Sequence, residues 1–143
     1  MKSNASAVWE GGLKDGRGTI SSGNGAFSAT PYNFAKRFEG AAGPGTTPEE
    51  LIAAAHSSCF AMASSGELGK AGFTPTKLEV SAVVTLEPVD GKPTVTSSAL
   101  TLRAHIPGID NAKFQELVAG AKAGCPISRL LNTNITLTAT LEP

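Results

Sequence analysis

From Leu51 to Gly66 the chain carries no formal charge, and this stretch follows directly on Thr47-Pro48-Glu49-Glu50. Those four residues are a helix start. Thr47 is placed as the N-cap, Pro48 takes the first helical position where its missing N–H costs nothing, and Glu50 is spaced to close a capping box with Thr47. The box occupies Glu50 and leaves Glu49 free. Beyond it the helix is apolar or small on every side, a pattern that requires protein around it. With one histidine and four serines, the run falls short of the ~18 apolar residues that suggest a membrane span. It therefore reads as a helix buried in a core, ended by Gly66, Gly69 and Gly72.

The cover for such a helix comes from strands and a second helix. Leu78, Val80, Ala82, Val84 and Leu86 alternate with Glu79, Ser81, Thr85 and Glu87, with Val83 as the exception. Leu100, Leu102, Ala104 and Ile106 alternate in the same way with Thr101, Arg103 and His105, as do Ile135, Leu137, Ala139 and Leu141 with Thr136, Thr138, Thr140 and Glu142. Each reads as a strand with one dry face, and Asp90-Gly91 predicts an antiparallel hairpin joining the first two. Shorter strands are expected at Ala5–Glu10, Arg17–Ser21 and Ala26–Phe27. An amphipathic helix carries Phe114, Leu117, Val118 and Ala121, with Asp110 as its cap and Gly124 as its C′ stop. A short helix after Pro126 precedes the final strand. The order predicts an α+β fold: an antiparallel sheet packed against a central buried helix in one domain over 1–143. One sheet and one amphipathic helix do not shield every side of a charge-free helix, so a second copy of the chain is expected to cover the rest, as a homodimer.

Twelve basic residues balance twelve acidic ones. With no lysine or arginine run, the chain lacks the electrostatic footprint of a nucleic-acid or membrane-surface binder. No apolar h-region precedes Glu10, so no signal peptide is expected and the reading is cytoplasmic. In that compartment two cysteines stay reduced, and a disulfide that forms there is usually catalytic or redox-sensing.

The residues that carry chemistry are few. Cys59 lies mid-helix in His56-Ser57-Ser58-Cys59-Phe60, either as a small core residue or as a thiol needing a cation to become reactive. Cys125, after Gly124 and before Pro126-Ile127-Ser128, stands at a helix N-cap, where free N–H groups favour a thiolate. On the residues alone it is the more acidic of the two. Arg37, in Phe34-Ala35-Lys36-Arg37-Phe38, either packs its stem on the surface or presents its guanidinium to a thiolate, with Glu49 holding it by a bidentate pair. A metal site built from His56, Cys59, His105 and Cys125 is a weaker use of the same residues, since His105 falls on the polar face of a strand and no C-x-x-C is present.

Several stretches together resemble one family. These are Arg37-Phe38-Glu39-Gly40, the run from Thr47-Pro48-Glu49-Glu50 through His56-Ser57-Ser58-Cys59-Phe60, Ala71-Gly72-Phe73-Thr74-Pro75, Pro107-Gly108-Ile109-Asp110, and Gly124-Cys125-Pro126-Ile127-Ser128. In order, and over nearly the whole chain, they are similar to the OsmC branch of the OsmC/organic hydroperoxide resistance family. The loop Ala42-Gly43-Pro44-Gly45 departs from the family pattern by its greater length.

That resemblance implies a thiol peroxidase acting on organic hydroperoxides and hydrogen peroxide, an intertwined homodimer with active sites at the subunit interface. Carried over by motif, Cys59 is the peroxidatic nucleophile, Cys125 the resolving thiol, Arg37 the activating cation and Glu49 the residue that orients it. Phe38 and Phe60 are expected to line an apolar entrance. An external dithiol, of lipoyl type by family analogy, is the expected reductant, and no metal or organic cofactor is required. Lowering a thiol pKa by two or three units raises its thiolate fraction at pH 7 by at most about thirtyfold. The remaining acceleration falls to Arg37, polarising the O–O bond and stabilising the departing alkoxide. The alternative is a redox sensor or small-ligand binder using the same pocket.

Overall fold

The computed structural model describes residues 1–143, which group into two compact units, Met1–Leu51 and Ile52–Pro143.

In the first unit, β1 (Ala5–Glu10), β2 (Arg17–Ser22) and β3 (Thr30–Tyr32) form an antiparallel sheet in the order β1-β2-β3. The first two strands fall where the sequence places them. The third does not: Ala26–Phe27 closes a loop instead. Ser22 N–H donates to Phe27 O at 3.0 Å and Phe27 N–H donates to Ser22 Oγ at 3.1 Å, so these residues lock the turn. Pairing resumes only after Ala29 takes a positive φ of 48°. Gly18 lies opposite Tyr32, and a Cβ there would come within 2.4 Å of the Tyr32 ring, so the close approach of strand and ring requires glycine. A short helix, α1 (Phe34–Phe38), follows. Its N-cap is Asn33, whose side chain accepts from Lys36 N–H at 2.7 Å, a start signal that the sequence reading passed over.

Helix α2 (Pro48–Lys70) begins with the expected capping box: Glu50 N–H donates to Thr47 Oγ1 and Thr47 N–H to Glu50 Oε2, each at 3.1 Å. The expected stop at Gly66 is corrected. The helix runs through Gly66 and Gly69, because in helical backbone these cost stability without forbidding the conformation. It ends at Gly72 (φ +87°), where Phe73 N–H donates to Leu68 O and Gly72 N–H to Gly69 O in a Schellman motif.

In the second unit, β4 (Lys77–Val89) and β5 (Lys92–His105) make a long hairpin through Asp90-Gly91, both at positive φ. A bulge between Thr85 and Leu86 shifts the register. Helix α3 (Asn111–Gly124) starts at Asp110, whose side chain accepts from Lys113 N–H at 2.9 Å. Gly124 is the last residue of α3 and has no positive φ, so it is not a left-handed stop; the turn is made at Cys125. After α4 (Pro126–Leu130), β6 (Asn134–Glu142) joins the far edge of β5 in parallel. The α+β class holds, but the sheet is mixed rather than antiparallel throughout. A strand returning on the same side of the chain direction needs a crossover, and α3 and α4 provide it.

The core of this unit gathers Phe60 and Leu68 of α2, Leu100, Leu102 and Ala104 of β5, and Phe114, Val118 and Ala121 of α3. Beyond its first turn, α2 buries one stripe, His56, Phe60, Ser64 and Leu68 at every fourth residue. The opposite face is uncovered within the chain, with Met62 77 % exposed.

Candidate active site

Cys125 is both the end of α3 and the start of α4. Its N–H donates to Ala121 O at 2.9 Å and its carbonyl accepts from Arg129 N–H at 3.0 Å, with Pro126 at the first position of the new helix. The corner buries its side chain completely, while Cys59 on α2 remains half-buried. The corner also aims one sulfur at the other: Cys125 Sγ and Cys59 Sγ lie 2.9 Å apart, although 66 residues separate them in the chain. Both are free thiols.

Their acidities diverge. Burial pushes the Cys59 thiol up, and the hydrogen bond with Cys125 pushes it further. At Cys125 burial is again the largest influence and also raises the pKa, but it is outweighed. The contact with Cys59, the N–H and hydroxyl of Ser128 and the N–H of Ile127 together hold this thiol below its ordinary value. The sulfur closes no full capping bond, yet the helix start still faces it with donors. This is the order of acidity read from the residues alone, with Cys125 the more acidic.

In the first unit Arg37 and Glu49 form the bidentate pair that the sequence suggests. Arg37 Nη2 donates to Glu49 Oε1 at 2.8 Å, and Nε reaches Oε1 and Oε2 at 3.2 and 3.3 Å. The α1 turn places the guanidinium 5.0 Å from the centroid of the Phe38 ring, itself packed on Phe34. Glu49 is nearly buried, as a carboxylate is when it has a fixed partner. Nη1 of Arg37 makes no hydrogen bond, so part of the fork stays available. Arg37, Phe38, Phe34, Trp9, Tyr32 and Pro48 border a largely apolar cavity of about 260 Å³.

The two expected pocket aromatics part ways. Phe38 is 40 % exposed and borders that cavity, whereas Phe60 is fully buried in the core of the second unit. Phe60 is thus corrected from an entrance residue to a core residue, because the α2 stripe that carries it faces the sheet. The histidines are separately engaged: His56 Nδ1 lies 2.7 Å from Ser98 Oγ and Nε2 2.8 Å from Ser128 Oγ, while His105 meets the Pro143 carbonyl and Glu142. No three His, Cys, Asp or Glu side chains gather at one point.

The model of the OsmC-like protein family matches residues 40–140, which include Glu49, Cys59 and Cys125. The chain belongs to the OsmC-like family. It is 49% identical over 131 residues to the peroxiredoxin OsmC of Escherichia coli, a match spanning 92% of this chain and 90% of that protein. It is 35% identical over 105 residues to an organic hydroperoxide resistance protein of Xanthomonas axonopodis pv. citri, spanning 71% and 70%. Among solved structures it superposes on the organic hydroperoxide resistance protein OhrB of Bacillus subtilis with a TM-score of 0.69 at 26% identity, covering 97% and 98% of the two chains. As a member of the OsmC-like family, the chain has the mixed α+β architecture of its OsmC and organic hydroperoxide resistance relatives.

What the sequence reading missed at this site is the pair of hydroxyls on His56. Ser98 and Ser128 lie 42 and 72 residues away along the chain, and a serine carries no signal of its partner. Only the Ser at the third position of a helix capped by cysteine marks Ser128 as facing the thiol.

Proposed function

We propose that this chain is a thiol-dependent peroxidase that reduces organic hydroperoxides and hydrogen peroxide, with Cys59 as the attacking thiol and Cys125 as the resolving one. The observation that carries the reading is the 2.9 Å approach of the two sulfurs, one accessible and one buried. Peroxide reaches the half-buried Cys59 first. Of the two thiols, Cys125 is the one that its surroundings make more acidic.

Cys59, as its thiolate, attacks the terminal oxygen of the hydroperoxide, the O–O bond breaks, and the product leaves as an alkoxide that takes a proton from water. Cys59 is then a sulfenic acid. The Cys125 sulfur attacks it, a disulfide forms and water departs, so the sulfur is captured before it is oxidised further. An external dithiol reduces the disulfide by thiol–disulfide exchange, and a lipoyl-type dithiol suits that step. Arg37, held by Glu49, lowers the barrier by favouring negative charge on Cys59 and on the leaving oxygen. No metal or organic cofactor enters these steps. The whole chain acts as one OsmC-like domain paired in a homodimer, and its place is the cytoplasm; no helix is long and apolar enough to cross a membrane.

Mass spectrometry after one equivalent of an alkyl hydroperoxide is expected to find a Cys59–Cys125 disulfide. Cys59→Ser is expected to abolish turnover, while Cys125→Ser permits one turnover and accumulates sulfenic acid. Equal residual activity in the two variants would overturn the assignment of roles. Steady-state peroxide consumption with a dithiol supplied separates an enzyme from a stoichiometric sensor.

A further inference from the structure

Helix α4 has little to hold it in place. None of its residues is buried; Ile127 alone of its apolar side chains packs against the core, and Leu130 is 73 % exposed. Yet α4 continues from the Cys125 corner, and the angle at which it lies decides where the buried sulfur points. The one side-chain hydrogen bond that ties α4 to another element joins Ser128 Oγ to His56 Nε2 at 2.8 Å. The other ring nitrogen, Nδ1, lies 2.7 Å from Ser98 Oγ on β5, the middle strand of its sheet, and His56 and Ser98 are both fully buried. The ring is thus rooted in the sheet and reaches out to the short helix.

Spacing gives this contact its role. His56 and Cys59 stand three residues apart on α2, and Cys125 and Ser128 stand three apart at the N-cap and first turn of α4, so each pair shares a face. Ser128 meets His56 at 2.8 Å and Cys125 meets Cys59 at 2.9 Å, two rungs between the same two helices in opposite chain order. One contact leaves a short helix free to pivot about it; two fix its rotation. The peroxide chemistry uses the sulfur rung and leaves the other without a task. Hydrogen bonds add little net stability, because water offers the unfolded chain the same bonds, but unlike apolar contact they are directional.

We propose that His56 is a positioning residue for disulfide closure: anchored by Ser98, it holds Ser128, and through α4 the Cys125 corner, at the angle that keeps the Cys125 sulfur against Cys59. The link runs through the His56–Ser128 hydrogen bond and one turn of helical backbone, and it asks for no charge on either thiol. From this arrangement the sulfurs close along a contact already made, which keeps the effective concentration of one at the other high. Without the rung α4 pivots, and closure must first bring the corner back.

The catalytic meaning of this brace rests on Cys125 being the resolving thiol; its geometry does not. The reduced full-length chain is equilibrated with mixtures of oxidised and reduced dithiothreitol, and the Cys59–Cys125 disulfide is quantified by mass spectrometry after alkylation. In that exchange the S–S bond of the reagent breaks, the Cys59–Cys125 bond forms, and the two cysteine protons end on the thiols of the reagent. Ser128→Ala, which removes one half-buried hydroxyl, is expected to lower the equilibrium constant for closure about tenfold, or about 30 mV for this two-electron couple. His56→Leu is expected to lower it equally, and the double variant no further, because both changes remove the same rung. Ser128→Thr keeps the hydroxyl and is expected to keep the native constant. A rung that only stabilised the fold would lower the urea midpoint of the reduced variants and leave the closure constant unchanged. That result overturns the proposal, as do additive losses in the double variant. A native chain that forms no Cys59–Cys125 disulfide would overturn the resolving role as well, whereas native closure with an unchanged constant in Ser128→Ala overturns the positioning alone.

Discussion

Arg37 belongs to an ion pair that contributes little to the fold and that the proposed mechanism uses for chemistry. Its side chain is 36 % exposed, so its pair with Glu49 is expected to contribute no more than about 1 kcal/mol to stability. Under the proposed mechanism the same fork acts on a developing alkoxide, where donors are worth about 10²–10³ in rate. Lysine keeps the charge and loses the two-pronged geometry. Arg37→Lys is therefore expected to leave the urea midpoint nearly unchanged while lowering kcat by about 10²–10³, measured with an alkyl hydroperoxide and a dithiol. A buried histidine gives the opposite balance. Burial holds His56 below its ordinary pKa, so the folded chain favours the neutral ring. Its contribution is fully present above the unfolded value of about 6.5 and is lost as pH falls from there through the folded value. Urea titrations between pH 8 and 5 are expected to show stability falling below about pH 6.5, with His56 accounting for at most about 1.4 kcal/mol per pH unit. His56→Gln should flatten that limb. At this scale the sequence was readable wherever a residue announced its geometry. The capping box separated Glu50 from Glu49, and the corner Gly124-Cys125-Pro126 marked the acidic thiol. Ser98 and Ser128 announced nothing, because a buried hydroxyl acquires its meaning only from what the fold brings to it.

The elements show the same division between starts and stops. The start of α2 was legible because a capping box is a local arrangement of four residues. Its end was not, because three glycines at 66, 69 and 72 present the same local signal, and only the backbone φ of Gly72 distinguishes a stop from a tolerated interior glycine. That difference is measurable. A Cβ built on Gly66 meets nothing within 4 Å in the chain, so Gly66→Ala is expected to stabilise the helix by about 0.5–1 kcal/mol. A Cβ on Gly72 also meets nothing, but at φ +87° it is strained, and Gly72→Ala is expected to destabilise by about 1–2 kcal/mol. Opposite signs in paired denaturation curves check the assignment. The strands were legible through their alternation, and Asp90-Gly91 joined two of them correctly. The parallel β5–β6 pairing was not legible, since alternation marks a strand's dry face but not the direction of the strand beside it.

At the scale of the whole molecule, the charge-free helix poses a problem that one copy of the chain leaves open. The stripe through Phe60 and Leu68 is buried, while Met62 on the same helix is 77 % exposed, within a stretch from Leu51 to Gly66 that carries no charged residue to make that face soluble. Exposed apolar side chains also occur elsewhere, at Val8, Leu13, Val83 and Leu130. Singly such residues are ordinary, but a helix face lacking any charge over several turns is the kind of surface a permanent partner covers. Pairing with a second copy removes it from water without any other protein. The chain is therefore expected to sediment at twice 14.5 kDa. Its thermal midpoint should rise with protein concentration, because association stabilises only the folded state. Met62→Glu places a charge on the proposed covered face, where an unpaired buried carboxylate costs several kcal/mol. It is expected to shift the sedimentation toward the monomer and to remove the concentration dependence of the midpoint. A variant that still sediments as a dimer with an unchanged midpoint would place the contact elsewhere on the molecule.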